Sequence, residues 1–253
     1  MPKLAVGHRE EATAPDAVRA AIAEFIATFL FVFIGLGSVT AYNKMYHEGL
    51  MTAAGLVAIA LAHGLALTIA VASVANISGG HVNPAITFGL LVGGHITIMR
   101  SVVYWIGQIF GAILAAALLK WVIVSKEHES VPGHTLASGV SVWSGLTLEI
   151  VMTFALVFVV YATAVDPKRS SIGVLAPLAI GFTVLACSLV GLPYTGASMN
   201  PARSFGPALI SWDWHRHWIY WLGPLIGAAL AGAIYDGLFI SEVSGTPVQA
   251  EEY

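Results

Sequence analysis

The sequence predicts an all-α membrane protein with six transmembrane helices plus two re-entrant half-helices, built as an inverted three-span repeat. Three observations predict it. Of the 253 residues, 57% are hydrophobic and 10% charged, and mean hydropathy is +0.81, far outside the soluble globular range. Apolar windows long enough to cross a hydrocarbon core of roughly 30 Å recur along the chain. The tripeptide Asn-Pro-Ala occurs twice, at Asn83-Pro84-Ala85 and Asn200-Pro201-Ala202, each time in a glycine-rich break.

Taken in order, the stretch before span one is polar, carries charges of both signs and lacks the basic-then-apolar pattern of a signal peptide. The first apolar run is therefore expected to stay in the mature protein. Spans are placed at 20–42, 51–74, 100–124, 142–164, 172–192 and 216–240, with turn residues between them, as at Val131-Pro132-Gly133 and Asp166-Pro167-Lys168. The half-helices follow the second and fifth spans. Asn is a good N-cap and Pro suits the first helical position. From Pro84 to Leu91 is only about 12 Å of helix, too short to cross. A short helix with polar backbone at its mouth cannot face lipid and must line a cavity.

The halves match each other. Glu24 with Thr28-Phe29 corresponds to Glu149 with Thr153-Phe154, and Ser78-Gly79-Gly80-His81-Val82-Asn83 to Thr195-Gly196-Ala197-Ser198-Met199-Asn200. The chain reads as one channel domain, 1–253, with repeats at 18–125 and 140–240 and short polar termini at 1–17 and 241–253. An odd number of spans per half inverts the second against the first, as in other membrane proteins whose site lies between repeats. Lys3, Arg9, Arg19, Arg100, Lys168 and Arg169 fall on one side, and Lys44, Lys126, Arg216, Glu48, Glu127, Glu129 and Asp213 on the other. The positive-inside rule puts the first side, with both termini, in the cytoplasm. Gly107 with Gly111 and Gly223 with Gly227 have close-packing spacing, which is expected to serve tight helix crossing and subunit assembly.

A net charge of -3 gives no support for a nucleic-acid partner. The single cysteine, Cys187, excludes an intrachain disulfide and a cysteine metal cluster. No His, Cys or acidic pair has metal spacing, no phosphate loop or nucleophile motif is present, and neither an enzyme activity nor a cofactor is expected. Each half-helix N-terminus carries roughly half a positive charge. With the side-chain oxygens of Asn83 and Asn200 used as caps, their NH2 donors are expected to point into a lumen, orient water and help repel cations. Arg203 lies one turn beyond Asn200, where the first half has Ile86. A guanidinium at membrane depth lines water or has partners, so it is read as a water-lining residue or as an ion-pair partner of Glu24 or Glu149. Those acids read best as acceptors for the re-entrant loop backbone, with a proton relay as the alternative. His63 is mid-span, a packing or filter residue. His81 offers either a cytoplasmic pH sensor or a loop cap. Composition makes His134 a solvated loop residue, and His8, His47, His95, His128, His215 and His217 interfacial ones.

These motifs resemble the major intrinsic proteins, the aquaporin superfamily, over all six spans. Three stretches are similar to plant tonoplast intrinsic proteins: Ser78 to Ala85, Tyr161 to Lys168, and Ser198 to Ala208. The segment His134 to Val140 points to the fourth subgroup. The resemblance implies a homotetramer in the vacuolar membrane with one pore per subunit, passing water and small neutral solutes such as ammonia, urea or hydrogen peroxide. It places the selectivity filter on His63, Ser188, Ala197 and Arg203, with His134 reaching in to orient the arginine. Many tonoplast relatives have Ile where this chain has Ser188, and Arg203-Ser204 in place of Arg-Asp argues against a glycerol facilitator. The competing class is an ion-coupled secondary transporter of a small solute, which needs titratable midplane groups where this chain has Asn83 and Asn200.

Overall fold

The structure is a computed structural model that describes residues 4–46, 51–123 and 131–240. Lys3, His47, Glu48, Lys126, Glu127, His128, Glu129 and the 241–253 tail lie outside the described residues. The helices are α1 (Glu10–Thr13), α2 (Pro15–Met45), α3 (Ala53–Ser78), α4 (Pro84–Val92), α5 (Ile98–Ile123), α6 (Val142–Val160), α7 (Ala176–Gly191), α8 (Pro201–Ser211) and α9 (Ile219–Tyr235). Six of the helical segments are long and apolar enough to cross a membrane.

Boundaries move for local reasons. The first span starts at Pro15 rather than 20 and runs to Met45, because Pro at the first helical position opens the helix inside the expected polar terminus. The fourth span continues through a π-helical turn, Tyr161–Val165. The fifth is entered through a tight 3-10 stretch, Pro167–Leu175, kinked at Ser170. The sixth begins only at Ile219, after the turns that follow Trp212.

Packing repeats between the halves. Helix α2 lies on α3 and α5, and α6 lies on α7 and α9. The half-helices are exchanged: α4 packs on α9 and α8 on α5, while α3 and α7 meet between the halves. The glycine pairs set these crossings inside the chain. A Cβ on Gly107 would stand 2.6 Å from the Ala21 carbonyl, and one on Gly111 would strike the Phe25 backbone. On the other side, Gly223 faces Glu149 and Gly227 the Ile150 carbonyl. The expected role of Gly107 and Gly111 in subunit assembly is therefore corrected to α2–α5 packing within one chain.

One end of the molecule gathers the N-terminal segment, the α4–α5 turn, the 166–175 link and the C-terminal turn. The Ile98 and Met99 N–H groups donate to the Ala5 and Val6 carbonyls at 3.0 and 3.1 Å. Thr97 donates to Glu11, Arg100 pairs with Asp16 at 3.0 Å, His95 meets Asp236 at 3.0 Å, and Tyr235 donates to Asp166 at 3.0 Å. The Thr97 hydrogen bond holds the half-buried Glu11 carboxyl below its ordinary range. The opposite end carries the 131–141 and 192–200 loops, joined by Ala137 N–H to the Tyr194 carbonyl at 2.9 Å.

Candidate functional site

Two re-entrant loops, each followed by a half-helix, form the centre of the molecule. Each half-helix starts as its sequence dictates. The Asn83 side-chain oxygen accepts from Ala85 N–H at 2.8 Å, and that of Asn200 from Ala202 and Arg203 N–H at 3.0 and 3.2 Å, with Pro84 and Pro201 opening the helices. The preceding loops share left-handed backbone at matching places: Gly79, Gly80 and Val82 against Gly196, Ala197 and Met199, with φ between 50° and 89°. A branched valine pays about 1–3 kcal/mol for such a conformation, so something must hold it.

The buried carboxylates hold it. Glu24 accepts from Ser78 Oγ at 2.7 Å, His81 N–H at 2.8 Å and Val82 N–H at 2.6 Å. Glu149 accepts from Thr195 Oγ1 at 2.7 Å, Ser198 N–H at 2.9 Å and Met199 N–H at 2.8 Å. Hydrogen bonds to a charged acceptor contribute about 1.5–3 kcal/mol each. Tyr104 and Tyr220 add a second brace, donating to the Ser78 and Thr195 carbonyls at 2.7 and 3.0 Å. Gln108 adds one to the first half only, donating to Glu24 Oε2 at 2.8 Å and Thr87 Oγ1 at 3.1 Å. The motif reading missed all three. The tyrosines sit three residues before Gly107 and Gly223 in each half, a repeat in the sequence that marks them. Gln108 is visible only as a lone polar residue in an apolar span.

The loops are tied to each other. Asn83 Nδ2 donates to the Met199 carbonyl at 2.8 Å and Asn200 Nδ2 to the Val82 carbonyl at 2.9 Å. This corrects the expectation that both NH2 groups are wholly free. Each amide spends one hydrogen on the opposite loop and keeps one.

Arg203 is buried. Its guanidinium donates to the carbonyls of Ala197, Ser198 (3.2 Å) and Gly196 (3.4 Å), and to His63 Nε2 at 2.9 Å. Among the described residues no carboxylate lies within ion-pair distance of it, so the ion-pair alternative fails. The loop that Glu149 shapes presents carbonyls to Arg203 instead. His63 Nδ1 lies 2.8 Å from the Ile59 carbonyl. A carbonyl only accepts and a guanidinium only donates, so the ring is neutral with hydrogen on Nδ1, and both nitrogens are occupied. Gly35 leaves room for that ring, since a Cβ there would stand 2.7 Å from Nε2.

Ser188 on α7 is 1% exposed, and among the described residues its hydroxyl has no hydrogen-bond partner. Ala197 is fully buried beneath Arg203. His134 is half-buried, contrary to its expected solvation. Its Nδ1 meets Ser204 Oγ at 3.1 Å and its ring packs on Tyr220, because the 131–141 loop folds inward over Gly196. It bonds Ser204 rather than Arg203. Burial first, then the Arg203 charge, holds its pKa well below the ordinary histidine value. His81 is nearly buried, with Nδ1 2.9 Å from Thr87 Oγ1 and its ring against Tyr104; the same position in the second half is Ser198, which meets Ser204.

Two cavities flank this centre. One, of about 230 Å³, is lined by His63, His134, Gly196 and Arg203. The other, of about 940 Å³, is lined by Val71, Gly80, Ile86 and Ile180, with His81 at its wall. Thus a small cavity holding Arg203 and His63 stands on one side of the paired asparagines, and on the other a larger one, whose mixed lining also includes Asn76, His95 and Arg169.

A family profile described as Major intrinsic protein matches residues 11–235. A protein of Medicago truncatula called Probable aquaporin TIP-type is 58% identical over 238 residues, covering 94% of each chain. Probable aquaporin TIP3-2 of Arabidopsis thaliana is 54% identical over 246 residues, covering 95% of this chain and 91% of that one. Among solved structures, the X-ray structure of the aquaglyceroporin from Plasmodium falciparum superposes with a TM-score of 0.77 at 22% identity, covering 89% of this chain and 98% of that one, a likeness of fold. The duplicated loops, the exchanged half-helices and these likenesses lead to one assignment: the chain belongs to the major intrinsic protein family.

Proposed function

We propose that the chain is a passive transmembrane channel for water and small neutral solutes such as ammonia, urea or hydrogen peroxide. The single observation that carries this reading is the cross-bonded pair Asn83 and Asn200 between two cavities. Each amide has one hydrogen left over, and each heads a half-helix with its positive end inward. Such a junction offers donors to the oxygen of a neutral molecule and a repulsive field to a cation. Arg203 adds a fixed positive charge beside the narrower cavity, and arginine and half-helix barriers of this kind exclude protons and ions. The paired groups at the junction are the neutral amides of Asn83 and Asn200, which disfavours coupling of transport to an ion gradient.

His63, Ser188, Ala197 and Arg203 form the selectivity filter in this reading, Asn83-Pro84-Ala85 and Asn200-Pro201-Ala202 the pore motifs, Glu24 and Glu149 their structural anchors, and His81 a candidate gating residue. His134 supports the filter through Ser204 instead of orienting Arg203 directly. The protein works as a multi-pass protein of the vacuolar membrane, as a homotetramer with one pore per subunit in which 18–125 and 140–240 are inverted repeats, and it catalyses no reaction. The fourth-subgroup likeness of 134–140 belongs to the same proposal. Stopped-flow light scattering on proteoliposomes tests it: osmotic shrinkage faster than in empty vesicles is expected, with faster internal alkalinisation under an ammonium gradient. Shrinkage at the lipid rate, or flux that follows a proton gradient, overturns it.

A further inference from the structure

The two halves differ at one half-buried tryptophan pair, and the difference has the form of a switch. Trp105 and Trp221 each stand two residues before the matching glycines Gly107 and Gly223. In the first half the Trp105 indole N–H donates to the Pro84 carbonyl at 3.1 Å, at the start of the first half-helix. Its repeat counterpart, Trp221, donates instead to His217 Nε2 at 3.0 Å. The counterpart of His217, four residues before Trp105, is Ser101, whose hydroxyl donates to the Thr97 carbonyl at 2.8 Å. Only the second half therefore offers its tryptophan a side-chain acceptor that a proton can remove. The two indoles meet at 6.3 Å, edge to face, and Trp221 also packs edge to face on Phe205 of the second half-helix.

We propose that His217 is a positioning residue for the second half-helix, holding the Trp221 N–H away from the Pro201 carbonyl until a proton at Nε2 releases it. The proton comes from water at the mouth next to the 212–218 turn, and no bond other than the hydrogen bond is exchanged. Once released, the indole N–H takes the Pro201 carbonyl, as Trp105 takes Pro84, and the start of the helix bearing Arg203 is restrained as the first one already is. His217 is surrounded by Asp213 and Trp214 of its own turn, Tyr220 and Trp221 of α9, and Phe205 of α8, and the charge of His134 from the 131–141 loop couples to it. Asp213 favours the proton, whereas burial, the larger effect, opposes it, so the switch point falls below the ordinary histidine value of 6.5.

The test uses the full chain in lipid. Indole 15N–1H resonances are followed against pH in nanodiscs, and osmotic permeability against pH in proteoliposomes. In the wild type the Trp221 resonance, identified by its loss in Trp221→Phe, is expected to shift with a midpoint below pH 6.5, and permeability to change with the same midpoint. In His217→Gln, which retains an acceptor that no proton removes, both responses are lost, while Trp105→Phe leaves the midpoint in place. A Trp221 resonance that does not titrate, or one that titrates equally in His217→Gln, overturns the proposal. So does a titrating resonance with flat permeability, which reduces the pair to a local helix cap. Only the flux readout rests on the channel function proposed above; a protein that passes no water but still titrates at Trp221 would refute that function instead.

Discussion

The first and second re-entrant loops have the same construction and opposite chemistry. Each is pinned by a buried glutamate through one hydroxyl and two backbone N–H groups, braced by a tyrosine, and ended by an Asn-Pro-Ala start. Counting back from each asparagine, His63 corresponds to Ile180 and Ser188 to Val71; in the loops Ala197 corresponds to Gly80 and Arg203 to Ile86. Ile180, Val71, Gly80 and Ile86 all line the larger cavity. Their counterparts supply the guanidinium of Arg203 on α8, the imidazole of His63 on α3 and the Ser188 hydroxyl on α7. The difference teaches that backbone anchoring is duplicated in both halves, whereas at these four positions the guanidinium and the imidazole stand on one side of the asparagines only.

The largest effects come from breaking the shared frame. Glu24→Ala takes an acceptor from four buried donors, of which Gln108 keeps Thr87, and Glu149→Ala takes one from three, of which Thr195 keeps a 3.5 Å contact to the Gly191 carbonyl. At about 1–3 kcal/mol for each unpaired group, both variants are expected to fail to accumulate as folded protein. The Glu24 variant is the worse, because Gln108 has no partner-bearing counterpart in the second half, where the matching residue is Pro224. Thermal unfolding and size exclusion in detergent check this; equal, mild losses would mean that the loops hold themselves.

His63→Phe sharpens the contrast at the filter. It removes the acceptor at 2.9 Å from Arg203 and leaves that nitrogen only the 3.4 Å contact to the Gly196 carbonyl. Losing a hydrogen bond to a charged group costs about 1.5–3 kcal/mol. Ammonia or urea permeability is expected to fall more than water permeability in paired flux assays, whereas equal loss would mean that His63 acts through folding. Ser188→Val copies the first half and deletes a hydroxyl that has no partner, so the melting temperature is expected to hold or rise. Urea or hydrogen peroxide flux relative to water falls roughly five-fold, the equivalent of ~1 kcal/mol. A large loss of stability would show that the hydroxyl has a structural partner.

A smaller effect is expected from pH at His134. Its folded-state pKa lies below the unfolded value of about 6.5, so the unfolded chain binds the proton more readily. The stability it contributes is complete above that value and is lost as pH falls below it. Hydrogen-exchange protection of the 131–141 loop, corrected for the intrinsic pH dependence of exchange, is expected to fall on acidification in the wild type and to be flatter in His134→Gln; an unchanged slope would remove His134 as the source.

Much of this was legible in the sequence where a feature is local. The first half-helix ends within one residue of its expected bound because Asn-Pro fixes the cap and Gly93 the end. The repeat made Glu24 and Glu149 readable as backbone acceptors, since both precede the loops they hold. What escaped is tertiary. The Asn83 and Asn200 amides bond partners 116 and 118 residues away, which no local pattern announces. The inward fold of His134 depends on the left-handed turn at Gly196 beneath it. The glycine pairs have a spacing that predicts close packing, but spacing alone does not say whether the neighbour is α2 of the same chain or another subunit.

The central claim, that Arg203 at the start of the second half-helix supplies a cation barrier for which the first half has no counterpart, is tested most directly by Arg203→Ile, which gives that position the residue of the first half. Water and proton fluxes are measured in parallel on wild-type and variant proteoliposomes. The account predicts fast water flow in both, and proton leak at least about tenfold higher in the variant, the effect of lowering a barrier by ~1.4 kcal/mol. Proton leak equal to that of the wild type, with water flow intact, would contradict it.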